Sequence, residues 1–262
     1  MKLTIFTGSQ PRHINLINSI SDFMDETYAI VESSTISPKQ AKGSQVRFPN
    51  LHEYMKHVRN AESEIFQRER SVSKQVKIFY IKYGDLNNLV KKDLSKALES
   101  DIFVVFGSSF IKGWLAQYLV EKSALNLHMG LSPYYRGAAC NFWAMYDYLP
   151  NYVGATIHYL SKGLDSGPIL FHSVPEFEND GPFTFTMKAV KKAQEDLIHF
   201  IQSSNPLGFK SVNQNPSLQV RYSEITDFTD TIAKEFLIRN LSSRDLGEMI
   251  NNSKRPHLLN II

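Results

Sequence analysis

The chain of 262 residues contains a single cysteine, Cys140. It therefore has no disulfide framework, and a size of this order buries enough apolar surface to fold without one. No apolar run approaches the roughly 20 residues that a membrane-spanning helix requires, so no membrane partner is expected. The start, Met1 to Phe6, runs into Thr7-Gly8-Ser9 without a long apolar segment. It reads as a first strand rather than a leader, which gives the expectation of a cytoplasmic protein. Charge of one sign is also scarce. The 29 basic and 26 acidic residues leave a net charge of +3, too little for the electrostatic footprint of a nucleic-acid binder.

Several chemical signatures are absent as well. No G-x-G-x-x-G follows the first strand, and Gly107 and Gly113 lack the spacing of a phosphate-binding P-loop. Gly107-Ser108-Ser109 is not followed by the second glycine of a nucleophile elbow. His52 and His57 lie five apart. At about 100° per residue they diverge by about 140° on a helix and cannot share a metal. No metal site is expected.

What is present is an alternation of short β-rich runs and longer helical patterns. Strands are expected at Leu3–Phe6, Tyr28–Glu32, Val76–Tyr80, Ile102–Phe106 and Ala124–Leu127. Helices are expected at Ile14–Met24, Leu51–Arg68, Leu86–Leu98 and Ile111–Val120, where apolar residues recur with helical spacing. Near-continuous apolar strands such as Ile102–Phe106 suit a sheet covered on both faces. The fold class is therefore α/β, a Rossmann-like, mostly parallel sheet flanked by helices. Ligands in such sheets sit beyond the carboxyl ends of the strands, here the loops after Phe6, Phe106 and Leu127. Further on, Val153–Leu160 and Pro168–Val174 read as paired strands and Phe183–Gln202 as a helix. The expected organisation is a catalytic domain over residues 1–202, a linker over 203–220 rich in Ser, Asn, Gln and Pro, and a short helical tail over 221–262. Tail helices are expected near Thr229–Asn240 and Ser243–Asn251. Phe236, Leu237, Ile238 and Leu241 of the tail pack either on their own domain or on a second subunit, which leaves a homodimer open.

The informative stretch is Asn126-Leu127-His128, followed by Met129-Gly130-Leu131-Ser132-Pro133-Tyr134-Tyr135-Arg136-Gly137-Ala138. Strand period two places the Asn126 amide and the His128 imidazole on one face. Such a pair can hold a developing oxyanion and manage a proton. Downstream, Asp165 lies in the tight turn Gly163-Leu164-Asp165-Ser166-Gly167-Pro168. A carboxylate there either orients an imidazole or is an ordinary turn residue. Phe142 and Trp143 read as part of a helix packed on the sheet.

The run N-L-H-M-G-L-S-P-Y-Y-R-G-A, followed by G-A-T-I-H-Y-L-S-K-G-L-D-S-G-P-I-L, resembles the 10-formyltetrahydrofolate-dependent formyltransferases. The resemblance extends from Met1 to about Gln202 and is strongest between Ile102 and Val174. It implies the formyltransferase fold, with Asn126, His128 and Asp165 as the catalytic set. It also implies a pteridine pocket formed by Phe110, Ile111 and Lys112 and by Ser161, Lys162, Gly163 and Leu164. The implied co-substrate is 10-formyltetrahydrofolate.

Departures from the pattern narrow the acceptor. The glycinamide ribonucleotide enzymes carry a Gly-rich loop after the first strand, whereas this chain has Gly8-Ser9-Gln10-Pro11-Arg12-His13. The methionyl-tRNA enzymes carry a C-terminal β-barrel, for which residues 221–262 are too few. The chain is most similar to sugar N-formyltransferases, which modify TDP- or UDP-linked amino-deoxysugars for surface polysaccharides. On that resemblance Arg12, His13, Gly107, Tyr135 and Arg136 are the candidate substrate contacts. Arg12 and His13 sit at a strand end and helix start that either binds phosphates or is a solvated basic helix start. Tyr135 and Arg136 either touch the acceptor or fix the turn. Transfer to another amine, hydrolysis of the formyl donor, and non-catalytic binding of a folate or nucleotide-sugar are the competing classes.

Overall fold

The computed structural model describes residues 1–33, 48–67, 71–203 and 210–259. Five strands, β1 (Lys2–Thr7), β2 (Glu26–Ser33), β3 (Lys77–Lys82), β4 (Ile102–Phe106) and β5 (Leu125–His128), pair in parallel. Three further strands follow, β6 (Tyr135–Gly137), β7 (Ala155–Tyr159) and β8 (Ile169–Ser173). The main sheet has the order β3-β2-β1-β4-β5-β7-β8, with β7 and β8 antiparallel to their neighbours. β1, β4 and β5 are buried at nearly every position, and β4 is apolar throughout, as expected for central strands covered on both faces. The strand order reverses between β1 and β4, and ligand crevices of open α/β sheets form at such a point.

The helices are α1 (Pro11–Ser21), α2 (Pro49–Ile65), α3 (Gly113–Glu121), α4 (Cys140–Tyr146), α5 (Pro182–Ser203), α6 (Asp230–Ile238) and α7 (Ser243–Asn252). α1 starts where Pro11 presets the backbone, and it buries Ile14, Ile17 and Ile20 at helical spacing. The helix expected at Leu51–Arg68 is α2, and Arg68 lies outside the described residues. The helix expected at Leu86–Leu98 does not form. Short 3₁₀ turns occupy Asp85–Asn88 and Ala97–Glu99 instead. Locally, Asp93 accepts from the Val90 amide, so a side chain captures a backbone group in the middle of the expected helix.

Three apolar cores result, the third on the opposite face of the sheet around Phe6, Phe103 and Leu119. One lies between the sheet and α1, α2 and α5, around Leu16, Val104, Ile157 and Leu197. A second is aromatic and holds Tyr54, Tyr135, Phe142, Trp143, Tyr152 and Phe236. Phe142 and Trp143 thus pack in this second core rather than on the sheet. The residues after Arg221 complete it in cis: Ala233, Phe236 and Leu246 are buried there, whereas Ile238 is 70% exposed. β9 (Arg221–Ser223) pairs in parallel with β6. Arg221 forks onto Asp147 at 2.6 and 2.9 Å, and its guanidinium lies 4.4 Å from the centre of the Trp143 ring. The described part of segment 203–220 is seated on the sheet edge, where Val212 bridges to Ile169 of β8. Residues 204–209 of that segment lie outside the described residues.

Candidate active site

Asn126 and His128 end β5, and their side chains emerge on one face at the carboxyl end of the sheet. Asp165 arrives from the β7–β8 connection. Its Oδ1 lies 3.4 Å from His128 Nδ1 and 3.4 Å from Asn126 Nδ2, and its Oδ2 accepts from the Gly137 amide at 3.3 Å. The other imidazole nitrogen, His128 Nε2, lies 3.3 Å from the Tyr135 carbonyl and 3.6 Å from Cys140 Sγ. Both ring nitrogens therefore face groups that can accept a hydrogen bond. Burial of Cys140 pushes its thiol well above the ordinary range, so it stays protonated beside the imidazole.

The turn that carries Asp165 is held in an uncommon shape. Asp165 has a φ of 45°, in the left-handed region that Asp tolerates better than most residues. Arg136 donates to the Leu164 carbonyl at 2.8 Å, and Gln214 donates to both the Asp165 and Gly167 carbonyls at 2.8 Å. Gln214 thus makes the segment expected as a linker part of the support of the site. The sequence reading did not single out His158 either. It sits directly across from Asn126 in the β5–β7 register. Its Nδ1 donates to the Tyr159 carbonyl at 2.8 Å, which leaves Nε2 to accept from Asn126 Nδ2 at 2.9 Å. Burial lowers the His158 pKa to about 4, with the neighbouring His128 acting in the same direction. His158 is therefore a neutral acceptor that fixes the Asn126 amide. Its signal was its place in the alternation of Val153–Leu160, which needs the strand register to be read.

Two cavities meet at His128. The first, of about 260 Å³, is bounded by the loops after β4 and after β7. It gathers Asn126, His128 and Asp165 with Gly107, Phe110, Ile111, Ser161, Gly163 and Leu164. Lys112 and Lys162 do not line it, and the Lys112 ammonium lies 5.6 Å from the centre of the Phe110 ring. The second cavity, of about 510 Å³, shares His128, Met129 and Gly137 with the first and extends along Tyr54, Phe142 and Phe228. Gly137 lines both, and it packs too closely on β9 to carry a side chain. Its φ is 91°, and a Cβ there would stand 2.1 Å from the Ser223 carbonyl oxygen.

All five of the expected substrate contacts have structural duties of their own. The Arg12 guanidinium is paired with the buried Glu62 at 2.7 Å, so it lines the second cavity with its charge already matched. His13 is buried, accepts from the Gln10 amide, and packs on Phe106. Burial holds its pKa well below the ordinary value, with Arg12 adding to the effect, so it offers no charge to a phosphate. A Cβ on Gly107 would stand 2.5 Å from the His13 ring, so Gly107, at a φ of 65°, is the space that His13 needs. Tyr135 is buried and gives its hydroxyl to Asp147 at 3.1 Å, away from both cavities. Arg136 ties down the Asp165 turn. Among the described residues no three His, Cys, Asp or Glu side chains cluster to hold a metal, and no helix is long and apolar enough to cross a membrane.

Comparison with known proteins places this arrangement. The family model described as formyl transferase matches residues 55–200, more than half of the chain. The chain belongs to the formyl transferase family. A methionyl-tRNA formyltransferase of Kosmotoga olearia is 29% identical over 62% of this chain. The match spans 49% of that relative's length, about half of it. Among solved structures, a 4-N formyltransferase from Francisella tularensis superposes with a TM-score of 0.53 at 21% identity, covering 87% of this chain and 77% of that one. The formyltransferase PseJ from Anoxybacillus kamchatkensis, solved with UDP-4,6-dideoxy-4-formamido-L-AltNAc and tetrahydrofolate, covers 97% of this chain and 100% of its own. Its TM-score is 0.51 at 16% identity. At these identities the structures establish the shared α/β fold.

Proposed function

We propose that this formyltransferase moves a formyl group from 10-formyltetrahydrofolate to the amino group of a nucleotide-linked amino-deoxysugar. The observation that carries the reading is the Asn126–His128–Asp165 cluster at the junction of two cavities, which allows a donor on one side and an amine on the other. The first cavity suits a flat pteridine: Val105, Ile111, Leu160 and Leu164 give it apolar walls, and the backbone of two loops supplies donors and acceptors. The second cavity suits the acceptor ring, with aromatic and methionine side chains for a deoxygenated sugar face. The solved PseJ complex, which holds a nucleotide-linked formamido sugar and tetrahydrofolate, supports the acceptor class.

In this mechanism the free amine attacks the formyl carbon. Asn126 Nδ2 gives one hydrogen to His158, and its second turns from Asp165 toward the developing oxyanion. His128 keeps its Nδ1 toward Asp165, and its Nε2 turns from the Tyr135 carbonyl to donate to the same oxygen. Each such donor is worth about 2.7–4 kcal/mol. The new carbon–nitrogen bond forms as the bond to the folate nitrogen breaks, and the proton lost by the amine is returned to that nitrogen through His128 and Asp165. Arg12 and His13 do not enter the mechanism.

The test is a turnover assay with 10-formyltetrahydrofolate and a panel of TDP- and UDP-linked amino-deoxysugars, read as formamide product and tetrahydrofolate released in equal amounts. Release of formate without an acceptor indicates a hydrolase. Transfer to methionyl-tRNA or glycinamide ribonucleotide alone refutes the sugar assignment.

A further inference from the structure

The donor-side cavity depends on the loop after β4, yet that loop is exposed and has no regular structure. Phe110 at its tip is 46% exposed. Its shape is held from below by residues outside both cavities. Glu32, at the carboxyl end of β2, is 2% exposed, and its partners among the described residues are hydrogen-bond donors rather than cations. Its carboxylate instead accepts from the Ser109 amide at 2.5 Å, the Ser109 hydroxyl at 2.8 Å and the Gly84 amide at 2.8 Å. Three donors satisfy a buried carboxylate that would otherwise be costly to desolvate. A second strap comes from Asn87, in the turn after β3. Its amide donates to the Phe110 carbonyl at 2.9 Å and accepts from the Lys112 amide at 2.7 Å. These bonds use the outward-facing backbone groups on either side of Ile111, whose side chain is buried and lines the cavity.

We propose that Glu32 and Asn87 are positioning residues for the formyl donor, which clamp the Ser109–Lys112 backbone in the shape that receives the pteridine edge. The proposal rests on the functional reading above. It predicts an effect on donor binding alone, because neither residue touches the catalytic cluster or the acceptor-side cavity. Backbone hydrogen bonds discriminate a ligand only when their groups are held in place before it arrives, and an exposed loop released from two straps loses that preorganisation.

The experiment titrates the full-length wild type and Asn87→Ala with 5-formyltetrahydrofolate, a stable analogue of the donor, and follows turnover. Asn87 is exposed, so its removal leaves the core intact. The Asn87→Ala variant is expected to bind the analogue about tenfold more weakly, matching the loss of two net hydrogen bonds. The KM for the donor should rise by the same factor, with kcat within about threefold and the acceptor KM unchanged. Asn87→Asp, which keeps the acceptor for Lys112 but repels the Phe110 carbonyl, should fall between the two or below. Glu32→Gln should act in the same direction if it folds, since one amide oxygen cannot serve three donors. Wild-type binding with an Asn87→Ala affinity within about twofold overturns the proposal alone. A loss of kcat with unchanged donor affinity overturns it too. A wild type that binds no folate overturns the functional reading and the proposal with it.

Discussion

Replacing Asp165 by asparagine tests the centre of the mechanism with little change of shape. The Oδ1 to His128 Nδ1 distance is 3.4 Å, and the Asp165 side chain is 10% exposed. At that distance two unit charges attract by about 5 kcal/mol at an effective dielectric constant of about 20. The amide keeps an oxygen that can accept from His128, and a neutral hydrogen bond retains about half the strength of a charge-assisted one. The loss is then about 2.5 kcal/mol of attraction between the Asp165 carboxylate and the positive charge His128 carries in the transition state, or about a hundredfold in kcat at 1.36 kcal/mol per tenfold. The assay is single-turnover formyl transfer at saturating donor and acceptor, with analogue binding and thermal unfolding measured in parallel. Asp165→Asn should bind the folate analogue normally, unfold close to the wild-type temperature and turn over about a hundredfold more slowly. A kcat within about threefold of wild type, with binding intact, refutes the pairing of Asp165 and His128 as a working element.

Three other outcomes follow from the geometry. His158 has a folded pKa of about 4, below its ordinary 6.5, so the unfolded chain takes up its proton first as pH falls. The stability present above pH 6.5 is therefore lost between 6.5 and 4, by at most about 3 kcal/mol for this group; denaturant unfolding at pH 7.5 and 4.5 should show a smaller drop in His158→Gln, and an equal drop excludes the assignment. Arg12→Ala leaves the buried Glu62 with the residue-12 backbone amide but no cation among the described residues and should destabilise the protein by about 3 kcal/mol, with Glu62→Gln in the same background restoring part of it, as read by denaturant midpoint. Gly137→Ala forces a Cβ against the Ser223 carbonyl at 2.1 Å in a left-handed backbone, so it should lower Tm sharply and part β6 from β9, whereas an unchanged Tm refutes the packing described.

Much of the architecture was legible because it is encoded locally. Apolar runs fully buried in β1 and β4, helical spacing in α1 and α5, and the Asn126–His128 alternation each report their own environment. The Leu86–Leu98 segment misled because its leucines kept helical spacing while the Asp93 side chain took the Val90 amide. The candidate contacts carry structural duties for a different reason. Arg12, His13 and Tyr135 are residue types that bind phosphates and sugars, but their partners Glu62, Gln10 and Asp147 were not part of the motif.

The sequence by itself determined the family, the α/β alternation and the identity of the three residues at the cluster, since motif order and period need only neighbouring positions. The tertiary structure alone decided what surrounds them. Strand register set His158 against Asn126, and β6–β9 pairing brought the tail into the aromatic core. The fold of the carboxyl-end loops drew Glu32, Asn87, Arg136 and Gln214 into the support of the site. These assignments depend on distances between residues far apart along the chain, and no local period or composition carries that information.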